Sequence, residues 1–255
     1  MNTKSLAIVR HSVCAVGYIK VPLQEYVTAP EETSLYVVGT GFLINPREVL
    51  SCAHVLRDLE SLVRKHRLKA HHMVLEFAHP PVEGRWATEL QSFEVARIDD
   101  KVDLALLNLA RPSTLQPIPV VGSRYIPAVG EDVALCGYAH GEVLLRQGKK
   151  FRRFGPVVQR GSTAALSPYD VQTPESVLLD LVTGPAASGS PVFRPSTGGV
   201  LGILQLGQIG KTAAFAEAGL IYGDDDGRLL ARAEGTKLLF RGGQVLTDHG
   251  TSGGT

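Results

Sequence analysis

The sequence predicts an all-β protein, a barrel or a sandwich, and three observations predict it. Short β-branched and aliphatic runs recur between turn-forming residues, at 13–19, 35–44, 48–55, 73–77, 93–98, 103–109, 133–138, 156–159, 177–182, 191–193 and 200–206. Between residues 110 and 132 the stretch ARPSTLQPIPVVGSRYIPAVGED holds four prolines and little alternation, which suits a crossing segment between two halves. The chain has 255 residues, enough to bury a full core as one catalytic unit.

These boundaries give a first barrel over about residues 1–112, a crossing segment over 113–132 and a second barrel over 133–240. Residues 241–255 are Gly-rich with little apolar content and are expected to form a flexible tail. One stretch breaks the strand pattern. In VLRDLESLVRKHRL, residues 55–68, Leu56, Leu59, Leu62 and Val63 recur at three- and four-residue intervals on a charged background, which predicts a short helix.

Charge and cysteine content exclude several function classes. With 26 Lys and Arg against 25 Asp and Glu, the formal net charge is +1, so no strong field points to nucleic acid or to an anionic membrane as partner. Apolar residues never run to the roughly 18–20 that a membrane span needs, and Arg10 and His11 interrupt the N-terminus before a secretory apolar region forms. Cys14, Cys52 and Cys136 are too few for the disulfide framework of a secreted protein. Reduced cysteines in the cytoplasm are the expectation.

Three segments carry chemistry. Gly39-Thr40-Gly41-Phe42-Leu43-Ile44 followed by Val49-Leu50-Ser51-Cys52-Ala53-His54 delivers a histidine at the end of an apolar strand. Asp103 opens the buried run Leu104-Ala105-Leu106-Leu107. In Gly184-Pro185-Ala186-Ala187-Ser188-Gly189-Ser190-Pro191, small residues on both sides of Ser188 allow a tight turn that exposes its hydroxyl and neighbouring N–H groups. Hydrolysis by an alcohol side chain needs these parts: a nucleophile, a base within hydrogen-bond reach, a carboxylate to orient the base, and donors for the oxyanion.

On these motifs the chain resembles the trypsin-like peptidases, and in particular the HtrA-like members. GTGFLI…VLSCAHV, DLALL and ASGSPVF are similar to the family's three signature segments, with Asp180 and Pro185 at positions frequent in the HtrA-like branch. The order His, Asp, Ser, with gaps of 49 and 85 residues, fits the family, whereas an α/β-hydrolase runs Ser, Asp, His. The resemblance covers about residues 12–210 and leaves too little chain after it for a PDZ domain. It implies two Greek-key β-barrels of the chymotrypsin-like type with a short helix after the histidine strand, and a serine endopeptidase acting on protein or peptide substrates without a cofactor.

The site residues that the resemblance implies are Ser188 as nucleophile, His54 as general base and Asp103 as orienting group, with the N–H groups of Ala186 and Ser188 as oxyanion hole. The primary specificity pocket takes Val182 and Thr183 at its base and Leu204, Gln205, Leu206 and Gly207 on its wall. Without a carboxylate at the base, small to medium aliphatic side chains are expected before the scissile bond, and glutamate is the rival.

The chain departs from the family where Ala186 replaces a glycine and Ala187 an acidic or amide residue. A methyl group disfavours positive φ, so the oxyanion hole is expected to need a substrate or an activating partner to complete it. Ala187 has no carboxylate to pair with a new N-terminus, so control by N-terminal cleavage is not expected.

Two other readings compete. Ala186 favours a catalytically silent binding module. Cys52 and His54 with Cys136 and His140 offer two Cys and two His, but at a spacing unlike a compact zinc motif, and no metal is expected. The cations of Arg146–Arg153 and the turn residues Asp224–Gly227 are read as solvated hairpin tips.

Overall fold

The computed structural model describes residues 3–28, 35–80, 87–122, 125–141, 155–169, 174–206, 215–223, 229–233, 236–241 and 244–247. Gly207, Asp224–Gly227 and Arg146–Arg153, all singled out in the sequence, lie outside them. For Leu206 and for residues beyond Gly223 only the backbone is described.

The first sheet takes the strands β1 (Val13–Ile19), β2 (Leu35–Asn45), β3 (Glu48–Ser51), β4 (Met73–Ala78), β5 (Thr88–Gln91), β6 (Phe93–Asp99) and β7 (Leu104–Leu109) in the order β5-β4-β1-β2-β3-β7-β6. Every pairing is antiparallel, and the sheet curls into a half-barrel. Every residue of β1 is buried. Covered on both faces, VCAVGYI therefore needs no polar alternation.

The second sheet runs β10 (Ser176–Asp180), β9 (Val157–Ser167), β8 (Asp132–Gly137), β11 (Pro191–Phe193), β12 (Val200–Leu206) and β13 (Phe215–Gly223), and β10 pairs with β13 to close a six-stranded barrel. Closure leaves this barrel no open edge. The two-barrel, mostly β architecture is the one the sequence implied. Leu135, Leu179, Val192, Leu204 and Leu220 are among the residues filling its core, while Phe42, Leu50, Phe77 and Leu106 belong to the first.

β3 ends at Ser51, short of the 48–55 run read as strand, because the chain turns into α3 (Ala53–Lys65). The helix buries Val55, Leu56, Leu59 and Val63 and leaves its charged residues outward. Its N-cap Cys52 supplies no side-chain cap. Asp103 does that work from the turn just before β7: its carbonyl accepts from Ala53 N–H at 3.2 Å and its carboxylate from His54 N–H at 2.9 Å. Two otherwise unpaired amides are satisfied, and a negative charge meets the positive end of the helix.

Other elements were not expected from the sequence. Helix α1 (Thr3–Ser12) precedes β1, and the hydroxyl of its Ser12 donates to the Ile8 carbonyl at 2.7 Å and also meets that of Gln116 in the crossing segment. A short helix, α2 (Leu23–Thr28), follows β1. Strands β14 (Leu229–Ala233), β15 (Thr236–Arg241) and β16 (Gln244–Thr247) extend the second sheet as a meander. β16 lies within the stretch expected to be a flexible tail.

The crossing segment touches both halves. Ile118 N–H donates to the Leu43 carbonyl of β2 at 3.0 Å, and Val200 N–H of β12 donates to the Pro119 carbonyl at 2.8 Å. Among the described residues no helix is long and apolar enough to cross a membrane.

Candidate active site

The histidine and the carboxylate meet because α3 begins where β7 begins. His54, in the first turn of α3, places Nδ1 2.6 Å from Asp103 Oδ2, while its backbone N–H donates to Oδ1 at 2.9 Å. Both carboxylate oxygens thus engage one residue. With the ring N–H at Nδ1 bonded to the carboxylate, Nε2 is left as the acceptor, the tautomer a general base requires. Asp103 takes a positive φ of 50°, a conformation that its short polar side chain tolerates better than most.

Ser188 comes from the other barrel, in the turn between β10 and β11. That turn is tied internally by Ala187 N–H to the Gly184 carbonyl at 3.2 Å and Ser190 N–H to the Ala187 carbonyl at 3.0 Å. It is tied to the first barrel through Thr40 of β2, whose N–H donates to the Ser188 carbonyl at 2.9 Å and whose hydroxyl donates to the Ala186 carbonyl at 2.9 Å. Gly189, at φ 86°, is obligatory: a Cβ there would lie 2.0 Å from the Thr40 carbonyl oxygen.

Ala186 adopts φ 66° despite its methyl group. The conformation disfavoured on sequence grounds is therefore taken, with the Thr40 hydroxyl holding the Ala186 carbonyl. Neither Ala186 N–H nor Ser188 N–H donates to a backbone carbonyl among the described residues. The Ser188 hydroxyl donates to the Gln205 carbonyl at 3.4 Å, and among the described residues it has no hydrogen bond to His54.

The residues read as specificity pocket differ in exposure and in what they bond. Val182 is 64% exposed, and its carbonyl accepts from the Gln159 amide, so it does not form a buried apolar base. Thr183 is buried, and Leu204 is fully buried in the core of the second barrel. Gln205 directs its amide to the Val102 carbonyl at 2.6 Å, on the acid side of the site. Alternation along β12 accounts for the opposite directions of Leu204 and Gln205.

Cys52, His54 and Asp103 bring three potential metal-donor atoms within 4.8 Å of one another; Cys136 and His140 do not join them. Burial and then the Asp103 charge push the Cys52 thiol well above its ordinary value, so it is protonated beside the His54–Asp103 pair. The Cys52 sulfur also lies 3.2 Å from the Leu204 carbonyl, a hydrogen bond across the two barrels.

Sequence reasoning missed the part played by Thr40. Its signal was present, since a hydroxyl residue between Gly39 and Gly41 is a small polar group where backbones approach closely.

A family model described as "Trypsin-like peptidase domain" matches residues 39–203, from the strand that holds Thr40 to the strand that holds Gln205. The chain belongs to this family and is a serine endopeptidase. A crystal structure of a serine-to-alanine mutant of Rv3671c from M. tuberculosis H37Rv, in its inactive form, is similar at a TM-score of 0.53 and 20% identity, over 86% of this chain and 85% of that one. At that identity the likeness concerns the fold. No curated protein sequence matches the chain.

Proposed function

We propose that the chain cuts peptide bonds through an acyl-enzyme on Ser188. The Ser188 Oγ attacks the substrate carbonyl carbon while His54 Nε2 takes its proton, and the resulting oxyanion is met by the N–H groups of Ala186 and Ser188. His54 then gives the proton to the leaving amine, the amide C–N bond breaks, and water repeats the sequence to release the acid. Asp103 holds the imidazole in the required tautomer and stabilises its cationic form. The observation that carries this reading is the 2.6 Å contact from His54 Nδ1 to Asp103 Oδ2 across the start of α3.

The Ser188 hydroxyl must leave the Gln205 carbonyl to give its proton to His54. Substrate or an activating partner shifts that population. The substrate is a protein or peptide with a small to medium aliphatic residue before the cut, because the positions read as base and wall, Val182, Thr183 and Leu204, carry no carboxylate to receive a basic side chain. The exposure of Val182 means that the base of this pocket is completed by other residues or by the substrate. Cys14, Cys52 and Cys136 are all unpaired and buried, which supports work in a reducing cytoplasm.

The Ser188 hydroxyl bonded away from His54 is also what a silent binding module would have. A fluorophosphonate probe separates the two readings, since only an activated serine reacts. Labelling of the wild-type protein that disappears in Ser188→Ala supports the peptidase. A wild-type protein that is neither labelled by the probe alone nor cuts any member of a peptide library overturns it.

A further inference from the structure

Gln205 lies on β12 of the second barrel, yet its side chain serves the first. Its amide donates to the Val102 carbonyl at 2.6 Å, one residue before Asp103 and its positive φ. The amide rests on Gly219 of the neighbouring strand β13. A Cβ at that position would come within 2.7 Å of Gln205 Nε2 and 2.8 Å of Oε1, so the missing side chain at 219 provides its seat. The main-chain carbonyl of Gln205 accepts from the Ser188 hydroxyl at 3.4 Å. Alongside lies a cavity of about 210 Å³ whose lining includes Asp103, Gln205 and Gly219.

We propose that Gln205, seated on Gly219, is a positioning residue that sets the distance between the acid end and the nucleophile end of the active site. The inference rests on the assignment of Asp103 and Ser188 made above. One residue holds both ends: through its side chain the peptide that enters Asp103, and through its backbone the resting serine. Without the amide, the Val102–Asp103 peptide loses its anchor to the second barrel, and the carboxylate is free to drift relative to the imidazole. Small misplacements of this kind lower the rate of the chemical step without changing what binds.

The test measures the rate at which a fluorophosphonate probe labels Ser188 in the full chain, resolved into a maximal rate and a half-saturating concentration. Gln205→Met keeps the length of the side chain and removes the donor. Gly219→Ala leaves Gln205 in place but crowds its amide from behind. The clash involves only the end of a flexible side chain beside a cavity, so this variant folds even if Gln205→Met does not. Each variant is expected to lower the maximal rate on the order of tenfold, the worth of one well-made hydrogen bond, with the half-saturating concentration unchanged. The double variant is expected to lose no more than Gln205→Met alone, because the 219 methyl acts only through the amide.

A Gly219→Ala protein labelled at the wild-type rate overturns the proposal, as do losses that multiply in the double variant or that fall on half-saturation alone. Failure of the underlying assignment has a different signature: in that case Ser188→Ala is still labelled.

Discussion

The Thr40 hydroxyl donates to the Ala186 carbonyl at 2.9 Å while accepting from Tyr138 N–H at 3.0 Å. Fully buried, it joins β2, the end of β8 and the serine turn at one oxygen atom. Replacing it with Val keeps the shape and leaves a carbonyl and an amide without partners. Thr40→Val is therefore expected to cost about 1–3 kcal/mol for each group left unpaired, measured by urea unfolding, and to lower fluorophosphonate labelling in parallel.

Ala186 and Gly189 both hold positive φ, but they differ in what surrounds them. At 186 a glycine relieves about 1–2 kcal/mol of backbone strain and adds about 0.5–1 kcal/mol of unfolded-state entropy. Ala186→Gly is accordingly expected to leave stability unchanged to within about 1 kcal/mol and to label no more slowly than wild type. Gly189→Ala drives a methyl against the Thr40 carbonyl, which cannot move without moving β2. Loss of cooperative unfolding, or destabilisation above about 3 kcal/mol, is the expected result.

Asp103 and Asp100 separate function from surface charge. Asp103→Asn is expected to reduce turnover on the order of 10⁴-fold by favouring the wrong imidazole tautomer, the magnitude that this change has in the general triad template. Asp100 pairs with Arg57 at 2.6 Å with both side chains more than half exposed, so Asp100→Asn is expected to change turnover less than twofold and stability by less than about 1 kcal/mol. A damaging Asp100→Asn with a harmless Asp103→Asn would reverse the assignment.

Burial raises the thiols of Cys14, Cys52 and Cys136, the last to about 12, above the value of 9.0 they have when unfolded. The folded protein then keeps protons that the unfolded chain gives up. This stability is fully present below pH 9 and is lost as pH rises from 9 towards 12, at up to about 1.4 kcal/mol per pH unit for each thiol. Urea unfolding at pH 8 and pH 10 measures the loss, and a thiol reagent at pH 8 is expected to modify none of the three cysteines until the chain unfolds.

The parts that sequence made legible are those whose signals are local. β1 announces itself through an apolar run, β7 through Leu104–Leu107 before the exposed Asn108, and α3 through the spacing of Leu56, Leu59 and Val63. The point where β3 gives way to α3 was illegible, because the group that caps the helix is Asp103, 49 residues away in sequence. Helix α1 was missed because only Val9 and Ser12 are buried along it, too few to set a helical period. The strand FAEAGLIYG was missed for its small residues, one of which, Gly219, leaves the room in which the Gln205 amide lies. The residue type at 205 was visible, but its direction was not, since that depends on which face of β12 meets the first barrel.

Closure of the second barrel by β10 and β13, against a first sheet that stays open, divides the labour of the molecule unevenly. Ser188, the proposed nucleophile, sits on the closed barrel, whereas His54 and Asp103 sit on a sheet that among the described residues ends at β5 and β6. A few polar bonds at Thr40, Cys52 and Gln205 cross between the halves at the reaction centre. Separating the halves by a few ångströms would break those bonds and also expose Phe193, Val200, Ile203 and Ile221, which pack in one apolar cluster with the first sheet. Activity in this protein is thus a readout of docking, and it should fail in the same denaturant range in which that shared cluster opens.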